Sequence, residues 1–513
     1  MSDEGRGTTE REFTRREILL MAGGAALAAQ LGCSPRVEDA TTAPDLEGLH
    51  YASLTEVADL LRQREISAVD LTQLLLKRID RVDPELRSYA TVMADQALAD
   101  AGQADAEIRS GNYRGPLHGV PVAVKDLCYT EGVRTMGGTA ALADFVPSYD
   151  ATVVRKLREA GAVLIGKLNL TEGAMLGYNP AFRLPVNPWD SRLWAGASSS
   201  GSGVATAAGL CFASLGSDTG GSIRFPSMAN GIVGLKPTYG RVSRYGVLAL
   251  AESLDHVGPM TRTVTDAAIM FEAIAGVDPS DPTTLDAPVP DMLGELGRGV
   301  EGLRIGYDRT YATDGIDAGL VEAMEVALEV LDGLGAEVVE ISVPELGEAA
   351  AAWGTIAAFE AVQAHSATFP SRAADYGGYF REFLETGASI DSEVYAHATR
   401  LRDEFSSRFR EALAAVDAIA CPSGGVPFAV ESETHFRGQA DLAATVLPNL
   451  ATRFTFPADF AGTPTITAQC GLSESGVPHT IQFMGAALTE PTLCRLALGL
   501  EQATDWHTLH PEV

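Results

Sequence analysis

Small polar residues and glycines are concentrated in the segment Leu215–Pro226, which reads LGSDTGGSIRFP and has Ser222 near its centre. A threonine and two glycines directly precede this serine, so several backbone N–H groups lie beside one hydroxyl. Such a turn can present a nucleophile and also stabilise the oxyanion that forms when the nucleophile attacks a carbonyl carbon. Taken alone, the same turn could bind a phosphate or be an ordinary bend.

A serine hydroxyl is a weak nucleophile at neutral pH, so another group must accept its proton. Histidine is the commonest base, but the nearest ones, His118 and His256, lie outside the glycine- and serine-rich segments. A histidine triad could still form in space, because triads are defined by geometry and not by sequence order. Lys125 is the alternative, since it follows the apolar strand pattern Val120–Val124 and burial favours the neutral amine that can act as a base.

Several further segments occur in a characteristic order along the chain. Together with Leu215–Pro226 they resemble the amidase signature family, from about Ser53 to the C-terminus. The segments that carry the resemblance are Gly166–Asn169, Asn187–Asp190, Gly196–Ser202, Val233–Val242, Phe454–Pro457 and Ala461–Pro464. So many matches in one order are far more specific than a single glycine-rich motif.

The resemblance implies three catalytic roles. Ser222 corresponds to the nucleophile, Ser198 to a bridging serine that follows a cis peptide bond from Ala197, and Lys125 to the base. Neutral Lys125 would take the proton of Ser198, which takes that of Ser222. Single serines and glycines usually make loops, and only the ordered combination favours catalysis.

The resemblance also implies supporting roles around the nucleophile. The predicted oxyanion donors are the backbone N–H groups of Thr219, Gly220, Gly221 and Ser222. The predicted supports of the site are Ser199, Asp218 and Arg224, for which plain structural hydrogen bonding is an equally good interpretation. Met175 lies in a segment expected to line the acyl pocket, although a methionine more often fills a core.

The implied activity is hydrolysis of a linear carbon–nitrogen amide bond through an acyl-enzyme, releasing a carboxylic acid and ammonia or an amine. Carbamates and esters are chemically similar substrates. The alternative is an amidotransferase A-type subunit that supplies ammonia to a partner, because the signature segments are most similar to those of glutamyl-tRNA amidotransferase A subunits. A predicted export signal in residues 1–33 and a formal charge of −30 favour the hydrolase. A non-catalytic amide-binding protein is a third hypothesis.

The composition limits the partners. The 513 residues include 38 basic and 68 acidic side chains, a formal charge of −30 that opposes binding to nucleic acid. The six cysteines have no CxxC or CxxH spacing, which argues against a zinc site and a disulfide framework. We therefore expect a small-molecule amide substrate, no metal, no cofactor, and a monomer or homodimer.

The N-terminal region is typical of an export signal. Residues 1–33 contain Arg15 and Arg16 in a twin-arginine-type motif, then a short apolar run and a lipoprotein-like box ending at Cys33. A lipid on Cys33 would tether the protein to a membrane, and residues 34–50 would be a spacer. The predicted location is the periplasm or cell envelope.

The remaining chain, 51–513, is predicted to be a single domain. It begins with helices, among them a segment from Ala90 to Ser110, and then alternates short buried strands with helices. This alternation predicts an α/β fold with a mixed β-sheet covered by helices on both faces. Residues 279–302, rich in Pro, Asp and Gly, are interpreted as a surface crossing, and residues 345–415 as a helical segment whose aromatics could cap a cleft.

Overall fold

A computed structural model describes residue 46 and residues 48–430, 436, 442 and 446–513. The predicted leader, with Cys33, lies outside the described residues. The folded unit begins at Leu46, before the predicted boundary at residue 51, because Leu46 and Leu49 pack against the core. Within the described ranges, no helix has the length and apolar character needed to cross a membrane.

The first elements are the predicted N-terminal helices, α1 (Leu54–Gln63), α2 (Ala68–Leu86) and α3 (Ala94–Arg109). Ser53 caps α1 in a capping box with Glu56. The expected helix from residue 90 instead starts at Ala94, because Tyr89–Val92 forms strand β1 at one edge of the sheet. This strand pairs antiparallel with a more central strand, and that pairing outweighs the helix propensity of the alanine-rich sequence.

In the part of the chain that the structure describes, eleven strands form one mixed sheet. The strands after β1 are β2 (Pro121–Lys125), β3 (Val163–Leu168), β4 (Ala213–Asp218), β5 (Val233–Lys236), β6 (His256–Thr261), β7 (Arg304–Tyr307), β8 (Glu337–Glu340), β9 (Ala418–Pro422), β10 (Thr465–Leu472) and β11 (Pro478–Met484). Their order across the sheet is β1-β3-β2-β4-β6-β5-β10-β11-β9-β7-β8. β2 pairs parallel with β3 and β4, whereas β4 pairs antiparallel with β6.

Every residue of β2 through β6 is buried. Successive side chains of a strand point to opposite faces of the sheet, so both faces are covered here. The fold class predicted from the sequence is therefore confirmed as α/β with a mixed sheet. The helices that follow α3 are α4 (Thr152–Glu159), α5 (Ser200–Ala207), α6 (Arg224–Asn230), α7 (Val264–Ile274), α8 (Met292–Leu296), α9 (Arg309–Thr313), α10 (Ala318–Gly333), α11 (Ala349–Ala364), α12 (Gly378–Ser389), α13 (Ser392–Ala414), α14 (Phe456–Ala461) and α15 (Glu490–Ala503).

The segment 279–302 connects two parts of one sheet. Strands on both sides of it belong to the same eleven-stranded order, and β10 joins β5 directly. Helices α11, α12 and α13 occupy most of residues 345–415, and α12 and α13 both pack against α11. They bring the aromatic side chain of Trp353 to the turn that contains Ser222.

Candidate active site

Lys125 is the last residue of β2, and its side chain is completely buried. Its Nζ lies within hydrogen-bond distance of three serine hydroxyls: 2.7 Å from the Oγ of Ser198, 2.9 Å from the Oγ of Ser199 and 2.9 Å from the Oγ of Ser217. The strand therefore delivers one amine into a cluster of hydroxyls, as its apolar sequence predicts.

The carboxylate next to Lys125 in the sequence is bound elsewhere. Asp126 forms an ion pair with Lys167 on the neighbouring strand, with 3.2 Å between its Oδ1 and the Nζ of the lysine. No carboxylate within the described residues pairs with the amine of Lys125. Burial therefore acts without a compensating ion pair and lowers the pKa of Lys125 to about 7. A large fraction of this amine is neutral at physiological pH, as a general base requires.

Ser198 and Ser199 lie at the N-terminal end of α5, in a loop that begins with Gly196 at φ +85°. The peptide bond between Ala197 and Ser198 is cis. The Oγ of Ser199 also lies 3.1 Å from the carbonyl oxygen of Ser217, so it links this loop to β4. Ser199 was predicted as a support, and the structure places it in direct contact with the lysine.

Ser222 lies in the turn between β4 and α6. It is partly exposed, whereas its neighbours Gly221 and Ile223 are buried. Its carbonyl oxygen accepts a hydrogen bond of 3.3 Å from the N–H of Ser199, which joins the turn to the loop containing Ser198. Ser222 also lines an apolar cavity together with Ala197, the residue before Ser198.

The carboxylate of Asp218 organises the Ser222 turn from inside. It accepts hydrogen bonds from the N–H of Gly221 at 2.6 Å and from the N–H of Ile223 at 2.9 Å. The Arg224 guanidinium also binds it, with 2.8 Å between Nη2 and Oδ1. Burial alone would raise the pKa of Asp218, but the charge and hydrogen bonds of Arg224 hold it well below its usual range.

This arrangement corrects one predicted oxyanion donor. The N–H of Gly221 points to Asp218 and so is already used, contrary to the expectation that it faces the substrate. The N–H groups of the other three predicted donors, Thr219, Gly220 and Ser222, have no protein acceptor within the described ranges. These three groups therefore remain available as donors.

Arg224 binds a second buried carboxylate, Asp459 of α14, with 2.7 Å between its Nη2 and Oδ2 of the aspartate. Burial raises the pKa of Asp459 well above its usual value, and the nearby Asp218 carboxylate acts in the same direction although Arg224 opposes it. These two directions favour a neutral Asp459 beside an ionised Asp218. One guanidinium then faces one negative charge, which avoids burying two like charges together.

The two histidines considered as bases lie elsewhere. His118 contacts Glu107 at 3.2 Å through its Nε2. The Nδ1 of His256 lies 3.3 Å from the carbonyl oxygen of Asp218. Within the described part of the chain neither ring hydrogen-bonds Ser198 or Ser222, so the geometry favours Lys125 as the base.

Two cavities meet at the Ser222 turn. The first is narrow, about 40 Å³, and mainly apolar; its lining includes Met175, Ala197, Ser222, Phe225, Trp353 and Phe456. The second, about 170 Å³, is more polar; its lining includes Ser217, Arg244, Glu252, Asp255 and His256. Ala174, Thr219 and Leu250 line both cavities, so these three residues stand between them.

The sequence did not identify the contacts of four residues of this site. Ser217 contacts Lys125, Trp353 and Asp255 contact Thr219 of the turn, and Asp459 contacts Arg224. Ser217 lies within the quoted Leu215–Pro226 segment, so its proximity to Lys125 had a sequence signal. Asp255 accepts the hydroxyl hydrogen of Thr219, with 2.6 Å between Oδ1 and Oγ1. The contacts of Trp353 and Asp459 cross more than 130 residues, and no local pattern predicts them.

The fold agrees with the comparisons to known proteins. The Amidase family profile matches residues 70–494. The chain therefore belongs to the amidase family.

Three relatives extend this assignment. A protein of Mycobacterium tuberculosis (strain ATCC 25618 / H37Rv), named as a candidate amidase, AmiD, is 44% identical over 472 residues, covering 91% of this chain and 98% of its own. The glutamyl-tRNA(Gln) amidotransferase A-type subunit of Trichlorobacter lovleyi is 41% identical, covering 90% and 99%. The native peptide amidase of Stenotrophomonas maltophilia superposes with a TM-score of 0.79 at 32% identity, covering 89% and 97%. These similarities support hydrolysis of an amide carbon–nitrogen bond.

Proposed function

We propose that this protein is a stand-alone amidase that hydrolyses linear amides through an acyl-enzyme on Ser222. The observation that carries the proposal is the buried, unpaired amine of Lys125 at hydrogen-bond distance from the hydroxyl of Ser198. An amine with a pKa of about 7 can take a proton at neutral pH and return it.

In the proposed reaction Lys125 takes the proton of Ser198, and Ser198 takes that of Ser222. The Ser222 oxygen then bonds to the carbonyl carbon, and the oxyanion faces the N–H groups of Gly220 and Ser222. The proton returns through the same groups to the nitrogen, the carbon–nitrogen bond breaks, and the amine leaves. Water, deprotonated by the same relay, hydrolyses the ester to the carboxylic acid and frees Ser222.

The two cavities suggest where the acyl group and the leaving amine of the substrate bind. The apolar cavity beside Ser222 suits a neutral, apolar acyl group. The more polar cavity on the side of Ser217 suits the departing amine and the water that replaces it. Carbamates and esters have the same carbonyl geometry and are expected as weaker substrates.

The second candidate function is ammonia production from glutamine for a partner, supported by the 41% identity to the amidotransferase protein. Glutamine carries a charged amine and carboxylate, and the described lining of the apolar cavity offers no charged side chain to bind them. The charge of −30 also opposes tRNA binding. Both observations favour the stand-alone hydrolase.

The deciding experiment combines a serine probe with a substrate panel. A fluorophosphonate should label Ser222 in the wild type and not in Ser222→Ala, and the same variant should lose turnover of aryl, aliphatic and peptide amides. Robust ammonia release from glutamine, with no turnover of the other amides, would support the amidotransferase. A folded wild type that neither labels nor turns over any substrate would support the non-catalytic alternative.

We also propose that residues 1–33 direct export and that Cys33 carries a lipid. The twin-arginine-type motif and the cysteine box support this proposal. The formal charge of −30 is consistent with it, because an exported protein does not need to bind tRNA. Mass spectrometry of the mature N-terminus tests it: a lipidated Cys33 is expected, and an intact residue 1 in a cytoplasmic fraction would refute it.

A further inference from the structure

The carbonyl oxygens of the Ser222 turn accept hydrogen bonds from elements far away in the chain. The indole Nε1–H of Trp353, on α11, donates to the carbonyl oxygen of Thr219 at 2.9 Å. The hydroxyl of Thr455 donates to the carbonyl oxygen of Gly220 at 2.8 Å. Two successive peptide groups of the turn are thus each bound by a side chain from the second half of the protein.

The bond from Trp353 also determines where an N–H group points. The peptide between Thr219 and Gly220 is trans, because the cis bonds of the described chain lie elsewhere. A trans peptide is planar, with its C=O and N–H pointing in opposite directions. The N–H of Gly220 must therefore point away from the indole that holds the Thr219 carbonyl.

Packing leaves the indole little freedom. Trp353 stacks on Phe456 with 4.7 Å between ring centroids and 8° between ring planes. A Cβ added to Gly220 would lie only 2.8 Å from the indole ring. The ring is in close contact with both Phe456 and the backbone of the turn, so the donor direction of Nε1 is restricted.

We infer that Trp353 is a positioning residue that orients the N–H of Gly220 as an oxyanion donor. The inference rests on the proposed hydrolysis at Ser222. Trp353 also lines the apolar cavity, so the same indole contacts the turn and the space proposed for the acyl group. Helix α11 then contributes to the chemistry without any of its residues touching the reacting atoms.

Trp353→Phe separates this role from simple packing. Phenylalanine keeps a ring to stack on Phe456 but has no N–H to donate. Trp189 offers a matched control, because its Nε1 donates to the carbonyl oxygen of Asn230, also at 2.9 Å. Both tryptophans are partly buried, and Trp189 lies outside the cavity that contains Ser222.

The experiment measures kcat, KM and inhibition for the wild type, Trp353→Phe and Trp189→Phe on one amide that the wild type hydrolyses. A peptide-type aldehyde, which forms a hemiacetal oxyanion with Ser222, is compared with the corresponding alcohol, which does not. For Trp353→Phe we expect kcat to fall about 10- to 100-fold, because a donor displaced by a fraction of an ångström loses transition-state stabilisation. A change in KM, matched by an equal change in alcohol affinity, would report the contacts that Trp353 makes in the apolar cavity and not the oxyanion donor.

The ratio of aldehyde to alcohol affinity should fall by the same factor as kcat in Trp353→Phe and stay unchanged in Trp189→Phe. An unchanged kcat, or an equal loss of aldehyde and alcohol affinity, would overturn the positioning role and leave the hydrolase intact. Misfolding of Trp353→Phe would show as an altered unfolding midpoint. In that case Trp353→His, which retains a shorter ring N–H donor, serves as the second variant, and its ratio of aldehyde to alcohol affinity tests the positioning role. Absence of any Ser222-dependent turnover in the wild type would instead refute the hydrolase proposal itself.

Discussion

The amine of Lys125 and the hydroxyl of Ser198 lie 2.7 Å apart in a fully buried environment. Their partners are hydroxyl groups, and the nearest acidic neighbour in sequence, Asp126, is paired with Lys167. Burial without an ionic partner disfavours the charged form of this lysine and lowers its pKa, so the neutral amine can act as a base at neutral pH. Two of the predictions below follow from this one contact.

Lys125→Ala should lower kcat by about 10²- to 10⁴-fold at pH 7, the usual contribution of a general base. In the wild type the rate should rise with pH through about 7, as the amine loses its proton. The variant should lack this rise and recover partly at alkaline pH, where hydroxide can replace the base. The pH–rate profiles of both proteins provide the test, and a near-normal rate in the variant at pH 7 would exclude the lysine relay.

Lys125→Met should stabilise the protein, and by an amount that depends on pH. The folded-state pKa of Lys125 is about 7 and its ordinary value is 10.5. Between these values the unfolded chain binds one more proton, so wild-type stability rises with pH there. The gain from the methionine should therefore be largest below pH 7 and shrink toward pH 10.5. Urea unfolding of both proteins at pH 6.5, 8 and 9.5 measures it; a constant difference would contradict the shifted pKa.

Ser217→Ala should shift the acid limb of the rate profile to lower pH. The Oγ of Ser217 lies 2.9 Å from the Nζ of Lys125, and a hydroxyl dipole helps to stabilise the charged amine. Removing it should lower the pKa of the lysine further while leaving the Ser198 contact in place. Ser475→Ala, at an exposed serine between β10 and β11, is a suitable control. A limb that stays where it is, or moves to higher pH, would contradict this role.

Asp459→Asn should be tolerated and Asp459→Ala should not. The raised pKa of Asp459 favours its neutral form, and an asparagine has nearly the shape of that form and still offers an oxygen to Arg224. Alanine leaves the Nη2 of Arg224 without this partner, at a cost of about 1–3 kcal/mol in unfolding free energy. Only the alanine variant should show a lower thermal unfolding midpoint and weaker fluorophosphonate labelling of Ser222. Equal damage in both variants would mean that Asp459 is ionised.

The predictable part of this site consists of short segments that carry their own signal. The apolar run before Lys125 indicates a buried strand, and the glycines around Ser198 and Ser222 indicate tight turns. The structure agrees with each of these local patterns, because the burial and backbone conformation of such segments depend mainly on neighbouring residues in the sequence.

The unpredictable part depends on contacts across the chain. Trp353 and Asp459 reach the Ser222 turn from other helices, and an isolated tryptophan or aspartate has no periodicity that marks its partner. Gly221 shows the same limit at short range: its sequence position suits an oxyanion donor, but the carboxylate of Asp218 takes its N–H. Which donor faces the substrate depends on side-chain placement within the folded turn.

The anchoring of the Ser222 turn has a consequence for synthesis. Arg224, which holds Asp218, contacts Asp459 and also lies 3.3 Å from the Oε1 of Gln482 on β11. The ribosome makes Lys125, Ser198 and Ser222 first and these anchors more than 200 residues later. A nascent or C-terminally truncated chain therefore holds the reactive groups without the contacts that align them. In the proposed mechanism, such a chain lacks an aligned nucleophile until almost its whole length has emerged and folded.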